Sequence, residues 1–474
     1  MTNQYDLIII GAGPGGYTAA AKAAGYGMKT ALIEKGELGG ACVNTGCIPA
    51  KAMLQAAAVY GDLKKAASFG ITVDQVGFDL KKMQEYKDAS VEKFRSMIRS
   101  LLDSGQVELI HGEAKLHKDN VVEVAAGNET FFLKGTSVIL ATGAQPAIPD
   151  IPGIDLPQVV TSREILKATE WHFDRLVVIG GGVIGVEVAT IFAALGSKVT
   201  LLERSTRLLE TMDPAISDQL EESLRRKGID VRCSADVMEI LDCGNDRVCV
   251  HFREHGSWEE IPADRVLVAV GRRPDMSGVL AEDCEVKLKD GRPTIKGTYR
   301  TTQENVYAVG DTVSKMRLAH VAAAHAAYVV ERLAGASHRM QLTVVPNGMY
   351  VVLPVVPTCI YTDPEIAAVG FTEDEARIYN MKIKCGQADM SSNGKAILSQ
   401  NQDGFIRLIF EAYTNTLVGA QIMCHRATDM IGEMATAIAN SLNAYQLSMA
   451  MRAHPTYSEA ISKAIEDALK GDAV

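Results

Sequence analysis

The sequence predicts an α/β protein that combines two Rossmann-like dinucleotide-binding domains with a C-terminal α+β domain. Near the N-terminus, a strand, a glycine-rich turn, a helix and a strand ending in an acidic residue follow one another, and the same series occurs again further along. Beyond about residue 341 the pattern changes to a hairpin and amphipathic helices. The 474 residues leave room for about three domains.

The first unit begins with an apolar strand at residues 6–10, a Gly-Ala-Gly-Pro-Gly-Gly turn and an alanine-rich helix. Its second strand, at 29–34, ends in Glu34. Backbone N–H groups at such a turn can approach phosphates closely, and the positive end of the helix favours an anion. Because Glu34 can also accept hydrogen bonds from a ribose diol, the unit predicts a dinucleotide site. A turn that merely connects strand and helix is the less favoured alternative.

The second unit repeats the first at one constant offset of 169 positions. A carboxylate at the end of its second strand accepts hydrogen bonds from a free 2′-OH and repels a 2′-phosphate, which favours NAD over NADP. Arg204 follows that carboxylate and could soften the preference, although a solvated surface arginine is the simpler interpretation. The matching residues are Gly11, Gly13, Gly16 and Glu34 in the first unit, and Gly180, Gly182, Gly185 and Glu203 in the second.

Further elements follow from apolar periodicity and turn residues. A helical stretch covers about 49–104, and a proline cluster after Gly143 marks a linker into the second unit. We expect a hairpin at 405–412 and 417–423 and helices at about 428–442 and 456–470. The predicted domains are 1–148 (first dinucleotide-binding domain, first part), 149–275 (second dinucleotide-binding domain), 276–345 (first domain, second part) and 346–474 (C-terminal domain).

Cys42 and Cys47 form the one closely spaced pair among nine cysteines. On one ideal helix they would not share a face, and a disulfide needs Cα atoms within about 7 Å, so we expect a turn at Gly46 that enters a helix. Cys47 would then lie near the positive end of that helix, which favours a reactive thiolate, and Lys51 would follow on the same side. Two unrelated buried cysteines are the alternative. The seven later cysteines are expected to be small buried apolar residues.

A histidine near the C-terminus is a candidate base. Residues 453–459 read Ala-His-Pro-Thr-Tyr-Ser-Glu, and we expect Pro455 to open the last helix. Thiol–disulfide exchange at neutral pH needs a group that takes a thiol proton, and His454 titrates in that range. Glu459 is a candidate to orient its ring. A purely structural histidine is the alternative.

Composition excludes several classes of function. The net charge of −10 argues against nucleic acid or an anionic membrane as a partner. The polar N-terminus has no signal-peptide pattern, and no apolar run is long enough to span a bilayer, so we expect a cytoplasmic protein. The cysteine and histidine spacings are not those of a zinc module, and no metal is expected.

Taken together, these motifs resemble the pyridine nucleotide–disulfide oxidoreductase family over about residues 5–470. The likeness rests on the two glycine turns and on four further motifs: Gly-Gly-x-Cys-x-Asn-x-Gly-Cys-Ile-Pro-x-Lys at 39–51, Ala-Thr-Gly at 141–143, Val-Gly-Asp at 309–311, and His-Pro-Thr-x-x-Glu at 454–459.

The resemblance implies bound FAD, NAD as the second nucleotide, and a homodimer with a C-terminal dimerisation domain. Cys42 would exchange with substrate, Cys47 would lie against the flavin, Lys51 would pair with Glu187, and His454 with Glu459 would serve the other subunit's cysteines. The residues it implies at the cofactors are Gly11, Gly13, Gly16, Glu34, Lys51, Ala114, Thr142, Gly143, Gly180, Gly182, Gly185, Glu203, Gly271 and Asp311.

Within the family the chain looks most like the dihydrolipoamide dehydrogenases, which implies oxidation of protein-bound dihydrolipoamide by NAD through a Cys42–Cys47 disulfide. The implied partner is a lipoyl-bearing acyltransferase or a glycine-cleavage carrier protein. Ala41, Ala50, the run after His320 and the stretch 339–357 depart from the usual pattern. Two alternatives therefore remain: an NAD(P)H-dependent reductase of another low-molecular-weight disulfide, and a mainly docking subunit of a multienzyme complex.

Overall fold

The computed structural model describes residues 3–167, 173–336 and 355–471, together with two short paired strands, Thr343–Val344 and Val351–Val352. The first domain is built on a seven-stranded sheet whose core is parallel. Val306–Ala308 pairs with Glu129–Leu140, so a late segment of the chain completes the N-terminal sheet. The remaining order across the sheet is Glu108–His111, Thr30–Glu34, Asn3–Ile10, Glu129–Leu140, Val121–Ala126, Glu113–Leu116.

Helices cover this sheet and carry the cysteine pair. Pro14–Gly25 follows the first glycine turn and packs against Ala319–Leu333. Leu80–Ser104 begins at Asp79, whose carboxylate accepts a hydrogen bond from the Lys82 N–H and caps the helix. The other helices are Gly40–Thr45 and Cys47–Lys65, with 3₁₀ turns at Ala66–Phe69, Lys118–Asn120 and Gly310–Thr312.

The second domain repeats the strand–turn–helix arrangement on a five-stranded parallel sheet. Its strand order is Asp230–Cys233, Lys198–Glu203, Arg175–Ile179, Arg265–Val268, Val159–Thr161. Its helices are Ser162–Ile165, Val183–Ala194 and Pro214–Arg226. A three-stranded antiparallel sheet follows, which was not predicted from the sequence: Ala235–Gly244, Arg247–Glu254 and Ser257–Ala263. Two short antiparallel pairs flank this domain: Ala144–Pro146 with Arg272–Pro274, and Leu288–Lys289 with Arg292–Pro293.

The C-terminal domain is a five-stranded antiparallel sheet with helices against it. Glu459–Lys470 lies so close to the sheet that a Cβ on Gly386 would meet the Ala464 carbonyl oxygen at 2.0 Å. The strand order is Thr358–Ile360, Ile366–Gly370, Leu417–Met423, Phe405–Glu411, Ile383–Asp389. The helices are Glu373–Ile378, Gly394–Ser399, Ala427–Ala439, Ala444–Ser448 and Glu459–Lys470, with a 3₁₀ turn at Met390–Ser392.

The predicted fold class and the hairpin are confirmed, and three local predictions are wrong. The last helix begins at Glu459 and not at Pro455, because the chain turns through residues 455–458 before the first helical hydrogen bonds form. Cys42 lies on a short helix and not in a turn. Cys243 and Cys249 are bonded to each other across a hairpin, so two of the later cysteines are not isolated apolar residues. The four domain bounds remain predictions, and most of the stretch 339–357 lies outside the described residues.

Candidate active site

The two glycine turns have the same geometry. Gly11 has a φ of +100° and Gly180 a φ of +112°, conformations that glycine adopts without strain. A Cβ on Gly16 would lie 1.7 Å from the Gly11 carbonyl oxygen, and one on Gly185 would lie 1.8 Å from the Gly180 carbonyl oxygen. Each turn can therefore close onto its helix only with glycine at both positions.

The acidic residues at the strand ends are held by the same contacts in both units. Glu34 accepts hydrogen bonds from the backbone N–H groups of Ala12 and Gly36, each at 2.7 Å. At the offset of 169, Glu203 accepts from Gly181 at 2.6 Å and from Ser205 at 2.7 Å. Both carboxylates fix their own turns, and each keeps lone pairs for a ribose hydroxyl.

The helix that follows each turn fits a pyrophosphate at its N-terminus. Gly13 and Gly182 are the N-cap residues, and neither can supply a side-chain cap, so N–H groups of the first turn remain available to a ligand. A Cβ on Gly182 would meet nothing within 4 Å, which leaves open space for a phosphate there. These observations fit FAD at the first turn and NAD at the second.

The cysteine segment packs directly against the first turn. Gly39 and Gly40 both have positive φ, +97° and +59°, and a Cβ on Gly40 would lie 2.7 Å from the Cα of Gly13. Cys42 lies on the short helix Gly40–Thr45, and Cys47 is the first residue of the helix Cys47–Lys65. The prediction that Cys47 lies at the positive end of a helix is confirmed.

The structure holds the two cysteines as thiols joined by a side-chain hydrogen bond and not as a bonded disulfide. That hydrogen bond lowers the pKa of Cys47 to about 7, with Lys51 contributing in the same direction and burial opposing it. It raises the pKa of Cys42, and burial acts in the same direction. One thiolate, on Cys47, is therefore the favoured ionised form of the reduced pair.

Lys51 and Glu187 form an ion pair between the first and second domains. The Lys51 Nζ lies 2.8 Å from Oε1 and 2.7 Å from Oε2 of Glu187, whose side chain is only 6% exposed. The backbone N–H of Tyr361 donates to the same carboxylate at 3.0 Å, and its ring lies 4.6 Å from the Lys51 Nζ. One carboxylate thus joins elements of all three domains beside the redox pair.

The predicted residues of the Ala-Thr-Gly and Val-Gly-Asp motifs meet at the carboxyl ends of neighbouring strands. The Gly143 N–H donates to Oγ1 of Thr312 at 2.9 Å, and Oγ1 of Thr142 lies 3.4 Å from the same atom. Burial raises the pKa of Asp311, with the guanidinium groups of Arg272 and Arg317 opposing it. This edge of the sheet is where a ligand of an open α/β fold binds.

Two other predicted cofactor residues lie at the periphery of this arrangement. Ala114 is on the strand Glu113–Leu116, half-buried and paired with Val124. Gly271 follows the strand Arg265–Val268 with a φ of +117° and open space at its Cβ position. Neither position shows a contact that would assign it to one particular cofactor.

The C-terminal base and its acid are paired, and the base faces solvent in this chain. The Nδ1 of His454 lies 2.9 Å from Oε1 of Glu459, and Oε2 of Glu459 accepts from the Thr456 N–H at 2.8 Å. Those hydrogen bonds lower the pKa of Glu459, led by the one from Thr456. The His454 side chain is 78% exposed. Within the described residues, no contact joins it to Cys42 or Cys47 of the same chain.

Four further residues belong to this site and are not among the residues predicted from the sequence: Asn44, Arg95, Thr312 and Tyr361. Asn44 stands inside the cysteine motif, so its position was a signal that could have been used. Thr312 directly follows the Val-Gly-Asp motif, which was also a usable signal, whereas Arg95 and Tyr361 stand outside every motif and reach the site from distant segments of the chain. Among the described residues, no cluster of three or more His, Cys, Asp or Glu side chains is arranged to hold a metal ion. No helix in the described part of the chain is long and apolar enough to cross a membrane.

Two dinucleotide folds that meet at a dithiol define a nucleotide-dependent dithiol–disulfide oxidoreductase. The chain belongs to the pyridine nucleotide-disulphide oxidoreductase family: residues 5–326 match that family, and residues 356–465 match its dimerisation domain. The dimerisation domain supports a homodimer.

Known relatives agree with this assignment. The chain is 33% identical to a dihydrolipoyl dehydrogenase of Bacillus subtilis, over 98% of each chain. It is 36% identical to one of Chlorobaculum tepidum, over 98% of this chain and 97% of the relative. The solved Cu(II) complex of the HOCl-induced flavoprotein disulfide reductase RclA from Escherichia coli has a TM-score of 0.85 at 26% identity, covering 98% of this chain and 99% of that one. LpdA from Mycobacterium tuberculosis shares the fold, with a TM-score of 0.87 at 23% identity, covering 98% and 99%.

Proposed function

We propose that the protein oxidises protein-bound dihydrolipoamide to lipoamide, with FAD as bound flavin and NAD as final acceptor. The observation that carries the proposal is the contact between the Cys42 and Cys47 thiols beside the first glycine turn. Full-length relatives named dihydrolipoyl dehydrogenase support the choice of substrate. When bound, FAD supplies a two-electron acceptor and NAD a hydride acceptor.

The cysteines carry out the exchange with substrate. In the oxidised pair, a substrate thiolate attacks Sγ of Cys42, a mixed disulfide forms, and Cys47 leaves as a thiolate. The second substrate thiol then attacks the substrate sulfur bound to Cys42, which closes the lipoamide ring and releases the Cys42 thiolate. The low pKa of Cys47 makes it the better leaving group, which directs the attack to Cys42.

His454 of the partner subunit takes the substrate proton in this proposal, because it does not reach the cysteines of its own chain. Glu459 accepts from Nδ1 and leaves Nε2 to receive the proton. When FAD is bound, Lys51 and Glu187 would lie beside the flavin ring next to Cys47, and Asp311 would bind the flavin's polar chain. The acidic Glu203 supports NAD over NADP.

We propose a lipoyl-bearing acyltransferase or a glycine-cleavage carrier protein as the partner, and the cytoplasm as the location. The disulfide opens and closes in every cycle, and transient catalytic disulfides of this kind are the usual ones in the cytoplasm. The pairing of Val306–Ala308 with the N-terminal sheet supports assigning 276–345 to the first domain.

The decisive experiment is turnover of dihydrolipoamide with NAD by the purified dimer. We expect activity in the native protein, loss of it in Cys42→Ser, and a decrease of about 10²–10⁴-fold in His454→Gln, as expected for loss of a general base. Cys385→Ser, on the strand Ile383–Asp389, is the matched control and should retain activity. Background turnover with dihydrolipoamide, together with efficient NADPH-dependent reduction of another disulfide, would contradict the proposal.

That outcome would favour the second candidate, a reductase of another low-molecular-weight disulfide. The structural similarity to a flavoprotein disulfide reductase at 26% identity is the observation in its favour. A docking role alone predicts instead that complex function survives in Cys42→Ser.

A further inference from the structure

Asn44 lies between the two redox cysteines and ties their segment together. Its Nδ2 donates to the carbonyl oxygens of Gly40 at 2.8 Å, Leu38 at 3.0 Å and Glu37 at 3.2 Å. Its Oδ1 accepts from Nε of Arg95 at 2.7 Å. The carbonyl groups fix which end of the amide is nitrogen, so the oxygen must face Arg95.

Besides the contacts of Asn44, the cysteine segment is held by its packing against the first glycine turn and by the buried Val43 side chain. Gly40–Thr45 is a six-residue helix without a side-chain cap, and it follows Gly39 and Gly40 at positive φ. Isolated helices of this length are not stable in water. The side-chain amide of Asn44 therefore adds hydrogen bonds that help to keep Cys42 in register with Cys47.

Arg95 reaches this segment from the long helix Leu80–Ser104. Its other contacts, to Glu92 at 3.4 Å and Glu37 at 3.7 Å, involve carboxylates about two-thirds exposed and contribute little. The hydrogen bond from Nε of Arg95 to Oδ1 of Asn44 is short and charge-assisted, and such bonds are stronger than those between neutral groups. Arg95 thus acts on the segment chiefly through the oxygen of Asn44.

We infer that Arg95 is a positioning residue for the redox pair: by bonding Oδ1 of Asn44, it holds the segment in the geometry that lets Cys42 and Cys47 form their disulfide. The inference rests on the proposed function of that pair. Without Arg95, Oδ1 of Asn44 accepts hydrogen bonds from water, and the position of the short helix is less restricted. The narrow geometry that a disulfide requires is then populated less. A charge-assisted hydrogen bond of this kind corresponds to about a tenfold change in an equilibrium.

The test measures the dithiol–disulfide equilibrium of Cys42 and Cys47 in the intact protein. Native protein, Arg95→Met and Arg99→Met are equilibrated with graded mixtures of reduced and oxidised glutathione, then alkylated and analysed by peptide mass spectrometry. In Arg95→Met we expect the oxidised pair to be disfavoured about tenfold, or about 30 mV for a two-electron couple. Arg99 is exposed one turn further along the same helix, so Arg99→Met should match the native protein.

A double-mutant cycle identifies the route of the effect. In an Asn44→Ala background, Arg95→Met should cause no further change. Arg95→Gln, a milder change, should give an intermediate shift if the methionine variant folds poorly. An equal shift in both backgrounds, or a shift no larger than in Arg99→Met, would overturn the inference. Because thiols are counted directly, failure of dihydrolipoamide turnover would not affect this measurement.

Discussion

Neutralising Lys51 and neutralising Glu187 should shift the pKa of Cys47 in opposite directions. Lys51 lowers the pKa of Cys47 and Glu187 raises it. Lys51→Met removes the stabilising cation and leaves a nearly buried carboxylate nearby, so the thiolate is disfavoured. Glu187→Gln removes the repelling anion and keeps an oxygen for the Tyr361 N–H, so the thiolate is favoured.

The magnitude follows from Coulomb's law. Side chains four residues apart on a helix lie about 6 Å from each other, and a unit charge at that distance contributes about 2.8 kcal/mol at an effective dielectric constant of about 20. The Lys51 side chain is 31% exposed, so we halve this for solvent screening, which leaves about 1.4 kcal/mol. At a pH of about 6 this means about tenfold less Cys47 thiolate in Lys51→Met. Because Glu187 acts on the pKa of Cys47 less strongly than Lys51 does, we expect at most about fivefold more thiolate in Glu187→Gln.

The assay follows alkylation of the reduced protein across pH, with peptide mass spectrometry to separate Cys47 from Cys42. The midpoint of each pH profile reports the thiol's ionisation. Lys64→Met is the matched control, since Lys64 lies on the same helix Cys47–Lys65 and is exposed. Midpoints that move in the same direction in both variants, or that stay at the native value in both, would refute the reasoning.

Three further outcomes can be checked. Gly40→Ala should lower the free energy of unfolding by about 2 kcal/mol or more, because φ is +59° and the new Cβ would lie 2.7 Å from backbone. Gly61→Ala is the control: Gly61 is helical with open space around it, so the free energy of unfolding in urea should rise by about 0.5–1 kcal/mol, and the reverse ranking would contradict this. Glu203→Ala should lower the ratio of KM for NADP to KM for NAD, and an unchanged ratio would count against its role. Burial lowers the pKa of His325 to about 4 from its ordinary 6.5, so stability that is present above pH 6.5 is lost as the pH falls toward 4. His325→Phe should reduce this loss by up to about 3 kcal/mol in urea unfolding measured across pH, and an unaltered dependence on pH would argue against it.

The repeated units could be predicted because their determinants are local. Each unit needs glycines at fixed spacing and an acid at the end of its second strand. All of these residues lie within about twenty positions of one another in the chain. The structure extends the repeat to contacts the sequence did not reveal, since Ala12 and Gly181 donate to Glu34 and Glu203 in the same manner.

The parts that could not be predicted depend on tertiary contacts. A six-residue helix at Cys42 has no stability of its own and exists because Asn44 and the neighbouring glycine turn hold it. The pairing of Cys243 with Cys249 depends on hairpin register, which no spacing rule gives. The bond from Arg95 to Asn44 joins residues 51 positions apart on different helices.

The carboxylate of Glu187 has a consequence for synthesis. Both redox cysteines leave the ribosome early. Glu187, the counterion of Lys51, emerges more than a hundred residues later, and the Tyr361 N–H that donates to Glu187 emerges later still. A nascent chain therefore carries the two thiols long before it carries the groups that orient them. The reactive centre is completed only when translation has passed into the third domain.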